Sequence, residues 1–439
     1  MGQFNRHQDL SPTIGCDQSQ HELDHANADL MRRSLLKTLG AAGLSLGLPF
    51  SLAHAGTAAL SGASASPAAS ASSGATRQPI LVVVELSGAN DGLNTLVPYA
   101  DDAYYRLRPR IGIRSEKVRK IDDRFGFNPS MSGFEQLFKD GKMAIVHGCG
   151  YAQPSFSHFT SAAYWHTAAP NTGEPYGWLG RVADAIDPQL TPNFLVNIDE
   201  RQSLAVRSAR HVPVVFDDPE RFARKGLRQS RPLLDNAVAA DAGSASRKYL
   251  DEVAQSARQA SHLVRTAWEG YKTPIDYGII SLDLPKVASM IHAGLPTRLF
   301  YVSYRHNAFD THVQQAEQHG RLLSYVSDAI AGFIKDMQRI GRADDVSVLV
   351  FSEFGRRAAE NTSLGTDHGT ANHMYVIGNR VRGGHYGEIP SLTDLDEGGN
   401  LKFSTDFRRV YASVIEGWLG HADSKSLLSG SFDTFPLFA

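Results

Sequence analysis

Short apolar runs punctuate the chain at Ile80 to Leu86, Met143 to Val146, Phe194 to Ile198, Leu299 to Val302, Val346 to Phe351 and Met374 to Ile377. Runs of four to seven such residues bounded by turn-forming residues predict buried strands. Between the last strands the period changes. Leu322, Leu323, Val326, Ile330, Phe333, Ile334 and Met337 recur at spacings of three and four, which makes one apolar helical face, and Gly341 follows its end. Strands alternating with helices predict an α/β fold, a doubly wound, largely parallel sheet flanked by helices on both faces. Residues 244–271 read as a polar helical segment inserted into this pattern.

In such a sheet, ligands sit beyond the carboxyl ends of the strands. Four polar clusters follow strand or helix boundaries in this way. Asn90, Asp91 and Gly92 follow the first strand, and Ser155 to Phe159 enter a helical stretch that runs to His166. Asp310 and His312 follow the strand around Tyr301. The block from Ser352 carries Glu353, Arg356, Arg357, Asp367, His368 and His373. Carboxylates and imidazoles together suit a divalent metal such as zinc or manganese, and an oxygen-rich set suits calcium. The two-residue spacing of Asp310 and His312 sets both side chains on one side of an extended segment. Asp367 and His368 are adjacent, which requires an irregular loop, and Gly365 and Gly369 supply one.

The N-terminal region changes the picture of where the protein works. Arg32 and Arg33 precede an apolar stretch, Thr38 to Phe50, too short to span a bilayer, and Ala53-His54-Ala55 has the small-x-small form of a cleavage site. Residues 1–55 are thus expected to be a twin-arginine signal peptide, recognised by the Tat translocase, and 56–78 an Ala/Ser-rich linker. Residues 79–439 form the working domain, expected to be periplasmic or secreted. Cys16 leaves with the signal, so Cys149 has no partner for an internal disulfide; after an apolar run it reads as a buried structural thiol. The formal net charge is −2, and the first 55 residues account for −1 of it. That balance excludes a nucleic-acid partner and an anionic membrane as electrostatic targets.

Glu85 to Asn94, Ser157-His158-Phe159, Phe309 to His312, Ser352 to Arg356 and Gly365 to Gly369 resemble, in order, the motifs of an exported bacterial family, the domain-of-unknown-function 1501 family (DUF1501). The resemblance runs from about Ile80 to Phe438. It implies an alkaline phosphatase/sulfatase-like fold bearing one or two divalent metal ions, with Asp91, Asp310, His312, Glu353, Asp367 and His368 as the ligand pool. It further implies a hydroxyl nucleophile at Ser157. A serine there equally serves as the helix N-cap. Arg356 or Arg357 could hold the oxygens of an anion, and His158 and His373 are candidate acids or additional ligands. There is no Cys-x-Pro-x-Arg sequence for formylglycine chemistry, and Phe156 stands where the family often carries an arginine.

Three functions follow as alternatives. The first is a metal-dependent hydrolase of phosphate or sulfate esters, acting on a small anionic ester or a sulfated or phosphorylated glycan. The second is a catalytically degenerate fold that binds or assembles envelope components. The third is a cation-dependent polysaccharide-binding protein whose Tyr164, Trp165, Tyr176 and Trp178 stack on sugar rings, a spacing that core packing explains equally well.

Overall fold

All seven residues of β1 (Ile80–Leu86) are buried, as expected of a strand covered on both faces. The computed structural model describes residues 77–222 and 259–439. The expected signal peptide, most of the linker and the first part of the expected 244–271 insertion lie outside these residues; 259–270 are helical.

β1 lies between two parallel neighbours, β8 (Leu299–Tyr304) and β9 (Val346–Phe351), with Val83 opposite Tyr301 on one side and Leu349 on the other. Outward from β8 come β6 (Leu195–Ile198) and β7 (Val214–Phe216), both parallel. Outward from β9 come β10 (Asn372–Ile377) and then β5 (Met143–Gly150), with β11 (Gly384–Tyr386) and β12 (Thr405–Asp406) both paired to β5. Of these nine strands only β10 runs against the rest. A separate small sheet joins β2 (Leu96–Val97), β3 (Arg119–Lys120) and β4 (Gly126–Phe127). Each apolar run of the sequence is therefore a strand of one sheet, and the predicted largely parallel character holds.

Alternation within β1 divides the core. Val82, Val84 and Leu86 pack with the helices Ser132–Lys139, Leu284–His292 and Gln315–Arg339. Leu81 and Val83 pack with Trp165 and Trp178, from His158–Thr167 and Trp178–Ile186, and with Val410 of Arg408–Ser413. Trp165 and Trp178 are wholly buried, so packing, not sugar stacking, explains them. Cys149 is wholly buried too, and burial pushes its thiol pKa up. Among the described residues no helix is long and apolar enough to cross a membrane.

The apolar face foreseen from Leu322 to Met337 belongs to the helix Gln315–Arg339, which leads from the end of β8 back to β9 across β1. Strand order thus brings the carboxyl ends of β8, β1 and β9 side by side. The segments that follow them, far apart in sequence, meet at one edge.

Candidate metal centre

At that edge Gly88 begins the construction. Its φ is +111°, and a Cβ there would lie 2.6 Å from the Asn307 carbonyl oxygen and the Asp310 nitrogen, so only glycine lets the post-β1 turn approach the post-β8 loop. Its N–H donates to Glu353 Oε1 (2.8 Å), and its carbonyl accepts from Arg356 Nη2 (2.6 Å). One turn thereby fixes both key side chains of the post-β9 segment.

Arg356 is 2% exposed, and its guanidinium is occupied. It donates to the carbonyls of Ala89 (2.7 Å), Thr366 (3.0 Å) and Phe309 (3.3 Å) besides Gly88, and to Asp310 Oδ1 (2.6 Å). It holds three loops and one carboxylate together. The expected role of holding a substrate anion is not what these contacts describe.

Around Asp310, three imidazoles converge. His158 Nε2 lies 3.1 Å from His368 Nε2 and 3.4 Å from Asp310 Oδ2. His312 Nε2 lies 3.0 Å from His368 Nε2 and 2.9 Å from Asp310 Oδ1, and His368 Nε2 is 3.3 Å from the same oxygen. His158, Asp310 and His368 form a group that could hold a metal ion, one ligand atom from each lying within 4.8 Å of the others, and His312 Nε2 stands against the same atoms.

The opposite ring nitrogens decide what these atoms are. His158 Nδ1 is 2.7 Å from Glu353 Oε1, His368 Nδ1 is 2.8 Å from the Phe156 carbonyl, and His312 Nδ1 is 3.4 Å from Asp367 Oδ1. An acceptor at each Nδ1 draws the ring proton there and leaves the Nε2 lone pairs of His158 and His368 facing one another and a carboxylate, while His312 Nε2 also faces Arg356 Nη1 at 3.3 Å. Such a set of acceptors needs a cation or protons between them. Spacings near 3 Å also match donors that each sit about 2.0–2.1 Å from a shared zinc-sized ion. The chemistry of the donor set therefore fits a divalent metal.

The pKa values express the same crowding. Burial pushes His158 down, but hydrogen bonds to Asp310 and Glu353 outweigh it and raise it to about 9. Burial would raise Asp310, yet hydrogen bonds from His158, His368 and Arg356, with the Arg356 charge, hold it far below the carboxylate range. His312 is lowered by burial and by Arg356, against the pull of Asp310.

The structure sorts the expected residues into layers. Asp310, His312 and His368 converge, and His158, read from sequence as an acid or an additional ligand, joins them. Glu353 and Asp367 stand one layer out, behind His158 and His312. Asp91 is elsewhere. It pairs with Arg108 Nη1 at 2.6 Å and accepts from Gln315 Nε2 at 2.5 Å, while Arg108 also donates to the carbonyls of Arg357 and Ala358. Burial would raise the Asp91 pKa, but the Arg108 charge keeps it low. The carboxylate that follows β1 thus anchors the loop after β9.

Ser157 is exposed and caps its helix, accepting from the Thr160 N–H at 3.4 Å. His373 lies on β10, with its ring 5.0 Å from that of His147. Arg108 was not foreseen, because nothing local distinguishes it from other arginines. A cavity of about 730 Å³ lies at the other end of the sheet, lined by Ile80, Phe194, Ile291 and Arg298 among others, whereas the side chains of the histidine cluster are part-exposed.

Several solved structures are similar to part of this chain. A protein in the alkaline phosphatase superfamily from Vibrio parahaemolyticus is 10% identical with a TM-score of 0.35, covering 72% of this chain and 64% of its own. A sulfatase from Pseudoalteromonas sp. is 12% identical with a TM-score of 0.37, covering 83% and 72%. The C-terminal periplasmic domain of EcEptC from Escherichia coli, in complex with Zn, is 10% identical with a TM-score of 0.34, covering 69% and 73%. No curated protein matches the chain in sequence. A family model described as a protein of unknown function (DUF1501) matches residues 287–424, which contain the motifs Phe309 to His312, Ser352 to Arg356 and Gly365 to Gly369, whereas Glu85 to Asn94 and Ser157 to Phe159 lie outside the matched segment.

Proposed function

We propose that this chain is an exported, metal-dependent hydrolase of phosphate or sulfate esters, with one divalent cation held by His158, Asp310, His312 and His368. The observation that carries the reading is the meeting of three imidazole Nε2 atoms and a carboxylate, with an acceptor behind each ring.

A cation there would supply Lewis-acid polarisation of a phosphoryl or sulfuryl oxygen. The chain's own residues do the rest of the positioning. Glu353 and the Phe156 carbonyl hold the His158 and His368 protons at Nδ1. Arg356 fixes Asp310 by a short charge-assisted bond and joins the loops after β1, β8 and β9 into one frame. Asp367 orients His312 from the solvent side. Twin-arginine export suits this reading, because a protein folded before transport can acquire its cation where the cell controls metal supply.

A second reading is a fold of this kind retained for binding or assembly. It is favoured by the buried and occupied Arg356 guanidinium and by Ser157, whose hydroxyl serves as a cap. Metal analysis of the purified protein, followed by assay on aryl phosphates and aryl sulfates, separates the two. The hydrolase reading expects stoichiometric metal and turnover abolished by chelation. Metal without turnover on either ester class would favour the binding role. Neither metal nor metal-dependent stability would end the hydrolase reading and leave the binding role.

A further inference from the structure

The cavity of about 730 Å³ lies where β1, β6 and β8 begin, at the far end of the sheet from the histidine cluster. Ile80 starts β1, and Phe194 and Arg298 immediately precede β6 and β8. Its volume is that of a small-molecule site. Ile80, Ile186, Phe194, Ile291, Leu295 and Ile340 line it with apolar surface that continues the cores on both faces of the sheet.

Arg298 brings a charge to this apolar wall. Its backbone is pinned on both sides, the carbonyl accepting from the Leu81 N–H (2.8 Å) and the N–H donating to the Phe194 carbonyl (3.0 Å). Its Nε donates to the Pro79 carbonyl (3.0 Å), and its guanidinium carbon is 5.8 Å from the centre of the Phe194 ring. The buried Nη2 has no hydrogen-bond partner, and among the described residues Arg298 forms no ion pair. A charged N–H shielded from water is costly to leave without an acceptor.

The neighbouring charges are already engaged. Asp187 also lines the cavity and its charge reaches Arg298. Its oxygens, however, accept from the Thr191 N–H (2.6 Å) and hydroxyl (3.1 Å) and lie 3.0 Å from His211 Nε2. Arg342 donates to Asp345 (2.6 Å) and to the Ile291 carbonyl (3.0 Å), and Arg77 lies 3.7 Å from the same Asp345 carboxylate. Among the lining residues and the carboxylates paired with them, three guanidiniums thus stand against two carboxylates. One positive charge is left over, and the guanidinium without a partner is Arg298.

We infer that this cavity binds an amphipathic monoanion, a carboxylate on an alkyl or aryl body, with the acid paired to Arg298 and the body against Phe194, Ile291 and Leu295. A planar guanidinium matches a carboxylate in shape, and a single surplus charge matches a monoanion. A phosphate dianion would exceed that charge beside Asp187. The site is separate from the histidine cluster, and the inference stands apart from the hydrolase reading.

The test uses the full chain with chelator present, so that no metal at the histidine cluster can take the acid. Octanoate, octan-1-ol and acetate are the probes, with binding measured by calorimetry. Octanoate should bind about tenfold more tightly than octan-1-ol, which lacks the charge, and about a hundredfold more tightly than acetate, which lacks the body. Arg298→Gln should bring octanoate to the level of octan-1-ol, whereas Arg298→Lys, which keeps the charge, should hold a preference of about threefold. Leu295→Ser should weaken octanoate and octan-1-ol alike, by about threefold. Circular dichroism would verify that each variant is folded. Absence of octanoate binding, equal affinities for octanoate and octan-1-ol, or a preference unchanged in Arg298→Gln would overturn the inference. None of these results bears on metal uptake, which is measured separately.

Discussion

Among the described residues stand two groups of three histidines, and they have opposite characters. In the first, His158, His312 and His368 meet through Nε2 around Asp310, part-exposed, with an acceptor behind each ring. In the second, His147, His373 and His385 lie against one another and against Phe125, ring to ring. His147 Nε2 is 2.8 Å from His385 Nδ1, and the buried Nδ1 atoms of His147 and His373 have no hydrogen-bond partner. Asp122, 2.8 Å from His385 Nε2, is the carboxylate paired with this group. Burial, followed by the charges of the other histidines, lowers His147 to about 2 and His373 to about 4. The number of histidines is the same in both groups. A carboxylate at the centre and acceptors behind the rings make one a candidate ligand set; their lack at its centre makes the other neutral packing.

The comparison breaks most readily at Arg356. Replacing it by alanine leaves Asp310 without its buried cation and takes the Arg356 donor from the carbonyls of Gly88, Ala89 and Thr366, at a cost of roughly 3–5 kcal/mol. Denaturant titration should show this loss, whereas surface Arg357→Ala should change stability by less than about 0.5 kcal/mol. The next largest effect is metal withdrawal. With free zinc at about a hundred times its Kd, chelation should remove about 2.7 kcal/mol of stability. Calorimetry should detect the corresponding fall in Tm in the native chain and find it abolished in His368→Ala. In His147→Leu the chelation response should persist, because that ring belongs to the other group.

Glu353→Gln tests the layer behind the ligands. Its shape is kept but its charge is lost, and zinc affinity should fall by about 10–100-fold, measured by competition with a chromophoric chelator. Acid then separates the groups in the other direction. His147 and His373 are neutral when folded, whereas the unfolded chain titrates near 6.5, so the stability they contribute is present above that pH. It is lost as pH falls, through about 4 for His373 and on towards 2 for His147. Unfolding between pH 6.5 and 4 should therefore consume protons, and His147→Leu should reduce the uptake by up to about one proton. The smallest effect belongs to Asp367→Asn. Its carboxylate is 48% exposed and 3.4 Å from His312 Nδ1, so zinc affinity should drop by only about two- to threefold.

Much of the scaffold was legible from the chain. β1 and β9 have the bounds of their apolar runs, and Ser157 begins a helix as its N-cap. The antiparallel direction of β10 was not legible, because an apolar run carries no sign of its orientation. At the site, Asp310 and His312 were recognisable as a pair and do meet. Asp367 and His368 were recognisable as a pair and diverge: His368 forms a bridge with Arg356 that turns its ring inward, while Asp367 faces solvent beside Asn361.

Local sequence thus determined the strands, the long helix and the pool of carboxylates and imidazoles from which a site could be built. Those features depend on periodicity and on neighbours a few residues away. Only tertiary structure decided which of the pool converge. His158 and His368 are 210 positions apart and touch because strand order places β5 only one strand, β10, away from β9, so that the segment after β5 reaches the loop after β9. Asp91 was diverted by Arg108, 17 positions on, whose guanidinium neutralises it before it can face the cluster. A ligand is defined by the direction of a lone pair and by what stands behind it, and both are properties of packed neighbours that no single segment contains.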